Sequence, residues 1–135
     1  MHDLEDLLQA LQPTMVAGEY VFLTLADGVY GDGGELQPIA SFIEAEGLTL
    51  VVSKQRADDA GMAYDGVFRL LTLAVHSSLQ AVGLTAAVSG RLASHGISVN
   101  VIAAFHHDHL FVPESQADRA LELLRCLAGD SSGKE

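Results

Sequence analysis

Residues 68–112 read FRLLTLAVHSSLQAVGLTAAVSGRLASHGISVNVIAAFHHDHLFV, and this stretch decides the fold. Its first part, 68–75, is apolar and ends in three consecutive polar side chains, which is typical of a buried strand that leads into a turn. Apolar residues then recur at helical spacing up to Gly96, a residue suited to a left-handed helix C-cap. From 97 to 105 apolar residues alternate, and after a polar turn at 106–108 a second apolar run follows. The stretch therefore predicts a strand, a helix and a β-hairpin.

A further helix is predicted from Glu114 to Leu127, because its apolar residues form one stripe and Gly129 follows as a stop. The resulting order is β-α-β-β-α. This order is most of a ferredoxin-like unit of the α+β class, in which helices cover one face of an antiparallel sheet. The last strand of such a unit is not found after Leu127.

The N-terminal half predicts a shorter β-α-β arrangement behind a leading helix. The leading helix is expected at 3–11 from its spaced leucines, and apolar strands are expected at 20–25 and 48–52. The glycine-rich segment 26–36 lacks the residues of a phosphate or calcium loop, so we interpret it as a plain loop. Residues 38–46 predict a short helix, since a proline stands at the start and a glycine follows the end.

Composition restricts the class of protein. The chain has 135 residues with 49% hydrophobic content, enough for one compact core. No apolar run approaches the roughly 20 residues that span a bilayer. The net charge of −11 with only seven Lys and Arg argues against binding to nucleic acid or anionic membranes. With an acidic, amphipathic N-terminus unlike a signal peptide, the chain is expected to be soluble and cytoplasmic.

Catalytic and cofactor motifs are absent from the sequence. It contains no G-x-S-x-G, H-E-x-x-H, Walker loop or dinucleotide fingerprint. The single cysteine, Cys126, stands among leucines, which favours a packing role over a nucleophilic one. We therefore expect no enzymatic activity and no cofactor.

Three segments carry a resemblance to a known family: LLTLAVHSS at 70–78, AVGLTAAVSGRLASHG at 81–96 and GISVNVIAAF at 96–105. They resemble the ACT domain, a small regulatory module that binds amino acids. Nearly the whole chain is similar to small stand-alone bacterial proteins built from two ACT-like units. The resemblance implies a tandem duplication, with an N-terminal half-unit and its leading helix at 1–65, a C-terminal unit at 66–129 and a disordered tail at 130–135. Because ACT modules usually associate in pairs, it also implies a homodimer.

The resemblance also implies a ligand site, since ACT domains hold an amino acid at an interface between units, at the turn after the first strand. A glycine at a helix opening lets a ligand approach the backbone, and free N–H groups there favour a carboxylate. Where the family has an acidic residue and a proline, this chain has Ala81 and Val82, so the binding geometry differs. Carried over by position, the ligand-binding residues are His76, Ser77, Ser78, Val82, Gly83, Leu84 and, as a weaker addition, Asn100.

Structural roles for the same residues stay open. Ser77 and Ser78 are also typical helix caps, and Gly83 also eases the packing of a helix on a sheet. Asn100 is also able to bond an adjacent strand. Arg69 and Arg91 are potential carboxylate partners only if they face the ligand.

Three hypotheses for the function follow. The first is a non-catalytic amino-acid-binding regulatory protein, in which the turn at 76–84 holds the ligand at a unit interface and a partner enzyme or transporter is regulated. The second is an interaction module without a small-molecule ligand. The third is a metal protein in which His107 and His109 converge on one face of the hairpin, with a third ligand from His76, His95 or another chain. No metal is assigned, because the spacing alone gives two convergent ligands.

Overall fold

A computed structural model describes residues 4–74 and 83–129. The chain divides into two compact units. The central unit comprises residues 18–68, and the terminal unit comprises the described residues before 18 and after 68. In chain order the elements are α1 (Leu4–Gln9), β1 (Pro13–Met15), β2 (Tyr20–Ala26), β3 (Ala40–Glu44), β4 (Gly47–Ser53), α2 (Lys54–Asp59), β5 (Phe68–Leu73), α3 (Leu84–Ala93), β6 (Asn100–Ala103), β7 (Asp108–Pro113) and α4 (Ala117–Leu127), with 3₁₀ turns at Gly34–Leu36 and Glu114–Gln116.

The terminal unit has the predicted β-α-β-β-α order in β5, α3, β6, β7 and α4. In its sheet β7 lies between β5 and β6, and the β6–β7 hairpin aligns Val101 with Leu110. Its core lies on one face of the sheet, because alternate strand residues pack against α3 and α4. The fully buried side chains of this core include Leu71 and Leu73 of β5, Leu110 and Val112 of β7, Val88 and Leu92 of α3, and Ala120 and Leu124 of α4.

The strand that was not found after Leu127 is β1, which comes before β5 in the chain. β1 pairs antiparallel with β5, and Thr14 lies opposite Thr72. The leading helix belongs to the same unit, since Leu7 and Leu11 are buried in its core. The sequence assigned this helix to the N-terminal half because it stands there in the chain. Burial of its leucines joins it to the terminal unit.

The central unit corrects the prediction of a helix at 38–46. Residues 40–44 form strand β3, which pairs with β4 in a hairpin, and β4 pairs in turn with β2. Glu44 lies opposite Gly47, so the hairpin turn consists of Ala45 and Glu46. Gly47 has a φ of 147° and no room for a Cβ atom. The glycine that suggested a helix end is therefore the residue that allows this tight turn.

The polar segment 53–66 contains helix α2. The Ser53 hydroxyl caps this helix by accepting the Arg56 backbone N–H at 3.2 Å. Ala57 is fully buried in the core of the central unit. The central unit thus has the order β2, 3₁₀ turn, β3, β4 and α2. Its 3₁₀ turn follows the first strand, in the place that helix α3 takes after β5 in the terminal unit.

None of the helices within 4–74 and 83–129 has the length and apolarity needed to cross a bilayer.

Candidate functional site

The predicted ligand turn is described only at its borders. His76, Ser77, Ser78 and Val82 lie outside the described residues. Gly83, Leu84 and Asn100 lie within them, as does Ala74 at the end of β5. What the structure places is therefore the start of the turn and the helix that begins at its end.

Helix α3 begins at Gly83, which occupies the N-cap position with a φ of 94°. This left-handed conformation favours glycine, because a Cβ atom there costs roughly 1–2 kcal/mol. Glycine has no side chain with which to cap the first N–H groups of α3, and N–H groups at a helix start favour an anionic acceptor. The sequence predicted a glycine at the opening of this helix, and ligand binding there stays a prediction.

The leading segment, residues 4–15, contacts both borders of the turn. At the start, the Ala74 backbone N–H donates to the Leu11 carbonyl at 2.8 Å, which extends the pairing of β1 with β5. At the end, a Cβ atom built on Gly83 would lie 3.5 Å from Leu4 Cδ2. This proximity is not visible in the sequence, since residues 4–15 and the turn are more than 60 positions apart. The leading segment therefore lies next to both ends of the turn.

The other two described site residues point to different sides of the sheet. The Leu84 side chain is buried in the core of the terminal unit, so only its backbone is available to a ligand. Asn100 is exposed at the start of β6, next to Val101, which packs against that core. Because neighbouring strand residues face opposite ways, Asn100 lies on the face that α3 does not cover. The structure therefore does not bring Asn100 together with Gly83.

The two arginines considered as carboxylate partners also differ in position. Arg69 donates from Nη2 to the Val16 carbonyl at 3.3 Å, which ties it to the backbone after β1. Arg91 lies in the last turn of α3, at the opposite end of the helix from Gly83. Neither arginine is placed beside the start of α3.

The histidine cluster consists of His106, His107 and His109. The first two lie in the turn between β6 and β7, and His109 is the second residue of β7. His109 lies beside Thr72 of β5, with Nδ1 and Oγ1 3.1 Å apart. His107 is partly buried, and its Nδ1 has no hydrogen-bond partner among the described residues. Within 4–74 and 83–129 no group of three His, Cys, Asp or Glu side chains is arranged to hold a metal ion. The metal hypothesis thus requires a ligand from outside these ranges or from another chain.

Burial lowers the pKa of His109, nearby His107 lowers it further, and Asp108 opposes both. A lowered pKa in the folded state means that the unfolded chain binds a proton more readily. The contribution of His109 to stability is therefore complete above the ordinary histidine pKa of about 6.5 and is lost as the pH falls. We predict that His109→Gln makes the free energy of unfolding less dependent on pH between pH 7.5 and 5.5, as measured by urea titration.

Thr72→Val is the control for this prediction. It removes the hydroxyl beside His109 but retains the burial, which is the main cause of the lowered pKa. Thr72→Val should therefore keep the wild-type pH dependence. An unchanged pH dependence in His109→Gln would show that other groups cause it.

Family models described as ACT domain match residues 1–69 and 67–126. The two matches together cover most of the chain. The chain belongs to the ACT domain family. Membership supports a regulatory, amino-acid-sensing role in general, and no catalytic family is indicated. No curated protein matches the chain.

Solved structures agree with an ACT architecture. A Vibrio cholerae protein of unknown function, described as a possible transport protein, is 50% identical over 93% of this chain and 96% of its own, with a TM-score of 0.85. The regulatory subunit of aspartate kinase from Thermus flavus is 10% identical over 89% of this chain and 99% of its own, with a TM-score of 0.62. The ligand-free subunit from Thermus thermophilus is 11% identical over 86% and 96%, again with a TM-score of 0.62. The two kinase subunits show a shared fold.

The central ACT unit contains a cavity that the sequence did not reveal. Its volume is about 280 Å³, and its lining includes residues that follow β2 in the chain, as the predicted ligand turn follows β5. The loop closes on itself, since the Val29 N–H donates to Asp32 Oδ2 at 2.9 Å. Interpreting 26–36 as a plain loop missed this cavity, although its glycines were the available signal. The cavity is lined by Tyr30, Gly31, Asp32, Gly34, Pro38, Ile39, Ala40, Ser41, Leu48 and Leu50.

Proposed function

We propose that this ACT protein is a non-catalytic regulatory sensor that binds a small amino acid at the 76–84 turn of its terminal unit. The observation that carries the proposal is the left-handed Gly83, which begins α3 without a capping side chain. The amino acid's carboxylate would accept from the open N–H groups at the start of α3. The histidine and serines of the turn supply polar groups for its ammonium and side chain.

Regulation would act through the leading segment. Leu11 accepts a hydrogen bond from Ala74 and Leu4 lies beside Gly83, so a ligand bound at the turn also favours the docked position of residues 4–15. Such a ligand shifts a population of conformations without any chemical step. The similarity to regulatory subunits of aspartate kinase supports a role in which the bound state is read by an enzyme. A regulated enzyme or transporter, a homodimer and a cytoplasmic location are parts of this proposal.

Gly83→Leu is expected to abolish the stabilisation of the protein by its amino acid. A leucine at Gly83 meets Leu4 and covers the start of α3. The measurement is thermal unfolding of the purified chain with each of the twenty amino acids at millimolar concentration. A ligand at 100 times its dissociation constant adds about 2.7 kcal/mol, which a melting curve detects easily.

Gly96→Leu is the matched control. Gly96 stands at the other end of α3, also with a positive φ of 76°, and has no atom near its Cβ position. Both variants therefore bear the cost of a left-handed side chain, roughly 1–2 kcal/mol. Only Gly83→Leu should lose the response to the ligand. Equal responses in the two variants would place the ligand elsewhere.

A second function, a protein interaction module without a ligand, is favoured by exposed apolar side chains on an edge strand of the central unit. β3 is the last strand of that unit's sheet, and Phe42 and Ile43 are 70% and 61% exposed on it. Exposed apolar side chains on an edge strand favour pairing with another strand. The best-fitting partner is a second copy of the chain, because two identical edges can pair antiparallel. This function predicts a dimer, and it predicts that none of the twenty amino acids shifts the melting temperature. Val29, Tyr30 and Ile39 of the central unit are also exposed.

A further inference from the structure

The terminal unit has a cleft between α3 and α4, away from the start of α3. Its volume is about 350 Å³, at the small end of the range for ligand pockets. The cleft is lined by Arg91, His95, Arg119, Glu122, Leu123 and Cys126.

The spacing of these residues forms two facing stripes. Arg91 and His95 are four positions apart, so they lie on the same side of α3 and its C-terminal end. On α4 the residues at 119, 122, 123 and 126 are three, four and seven positions apart, which is one helical face. Leu123 is buried and Cys126 is partly buried. The cleft therefore has an apolar floor with charged groups at its rim.

The charge of the cleft is opposite to that of the chain. The whole chain has a net charge of −11 and seven Lys and Arg, of which Lys134 lies outside the described residues. Two of the remaining six, Arg91 and Arg119, line this one cleft. Such a concentration of cations in an acidic protein attracts an anion to that place.

The two arginines are poorly neutralised. Arg119 pairs with Glu122 at 3.5 Å, and both side chains are more than half exposed, so this bridge contributes little. Arg91 is partly buried and forms no ion pair with any residue in 4–74 or 83–129. A cation that is partly removed from water without a counter-charge is costly, and a bound anion would remove this cost.

His95 also lines the cleft, at the end of α3. Its Nδ1 lies 3.0 Å from the Arg91 carbonyl oxygen and 3.2 Å from the Ser94 hydroxyl. When Nδ1 donates to this carbonyl, Nε2 of the neutral ring can only accept. The donors to an anion in this cleft are therefore the two arginines.

We propose that this cleft binds a small organic oxyanion, a carboxylate or a phosphate with a short apolar part. Arg91 and Arg119 donate to the oxyanion from facing helices, and the apolar part rests on Leu123 and Cys126. Because the cleft is separate from the start of α3, the site does not depend on the amino-acid site proposed above.

The test is isothermal titration calorimetry of the full chain with inorganic phosphate and with malonate, at an ionic strength matched with chloride. Each arginine supplies a charge-assisted hydrogen bond, so Arg91→Gln and Arg119→Gln should each weaken binding by about tenfold or more. Arg125→Gln is the matched control, because Arg125 is exposed on α4 and does not line the cleft. It should bind as the wild type does. The phosphate and malonate titrations distinguish the two kinds of oxyanion.

Three results would overturn the proposal. In the first, neither anion binds more tightly than chloride. In the second, Arg125→Gln weakens binding as much as Arg91→Gln does, which would indicate general electrostatic attraction. In the third, Arg91→Gln changes the molecular mass in sedimentation and leaves anion binding unchanged, which would indicate a contact between copies. Arg119 is exposed, so Arg119→Gln keeps the test valid if Arg91→Gln impairs folding.

Discussion

Gly47→Ala is expected to destabilise the central unit by about 3 kcal/mol or more, which lowers the melting temperature by roughly 10 °C. A Cβ atom at this position would overlap the Leu25 carbonyl oxygen and lie 3.0 Å from the Asp27 backbone nitrogen. Both obstacles are backbone atoms, so no side-chain rotation relieves the overlap. The β3–β4 hairpin must then shift against β2, with which β4 pairs along seven residues. Urea unfolding followed by circular dichroism measures the loss.

Gly31→Ala separates the two causes of this loss. Gly31 also has a positive φ, 98°, but no atom lies near its Cβ position. It therefore reports the conformational cost alone, about 1–2 kcal/mol. The difference between the two variants is the cost of the overlap at Gly47. If the two variants lose equal stability, the hairpin turn is not the close backbone contact described above.

The terminal unit was largely predictable from the sequence because its local signals agree with one another. Between Gly83 and Gly96 the apolar spacing is helical, and Gly96 adopts the left-handed conformation that favours glycine after a helix end. The turn at 106–108 is followed by a strand that pairs with β6, as predicted. Here periodicity and turn chemistry point to a single structure.

The central unit was less predictable because its signals are ambiguous over short lengths. Ala45, Glu46 and Gly47 are equally typical of a helix that ends in glycine and of a tight hairpin turn. Pairing of β3 with β4 decided between the two, and long-range pairing is not visible in local spacing. Helix α2 was not predicted either, because the segment 53–66 is polar. The one buried residue of α2 is the small Ala57, so the helix has no apolar stripe that the sequence could show.

The candidate site was predictable where it depends on local backbone conformation and not where it depends on distant parts of the chain. Gly83 could be chosen because a glycine at a helix opening has a local physical reason. Asn100 was chosen for its chemistry, but strand alternation places it on the face opposite α3. The cleft that contains Arg91 and Arg119 requires α3 and α4 to be adjacent, which spacing within either helix does not show.

Leu11→Ala is expected to destabilise the terminal unit by about 2–5 kcal/mol, the range for truncating a fully buried leucine. Leu11 is 0% exposed and packs in the core with α3 and α4. Its carbonyl also accepts the Ala74 N–H, so loosening this residue should release the start of the ligand turn. Two measurements apply, urea unfolding for the global stability and hydrogen exchange of the Ala74 amide for the local effect.

Leu4→Ala is the matched control on the same segment. Leu4 is 37% exposed, so its truncation should cost well under half as much as that of Leu11. If Leu4→Ala and Leu11→Ala lower the free energy of unfolding by the same small amount, the leading segment contributes little to the core and cannot transmit ligand binding. If Leu11→Ala alone is costly and speeds exchange at Ala74, residues 4–15 are a structural part of the terminal unit. The ACT match at 67–126 would then mark a piece of that unit, because its strand β1 and part of its core come from the beginning of the chain.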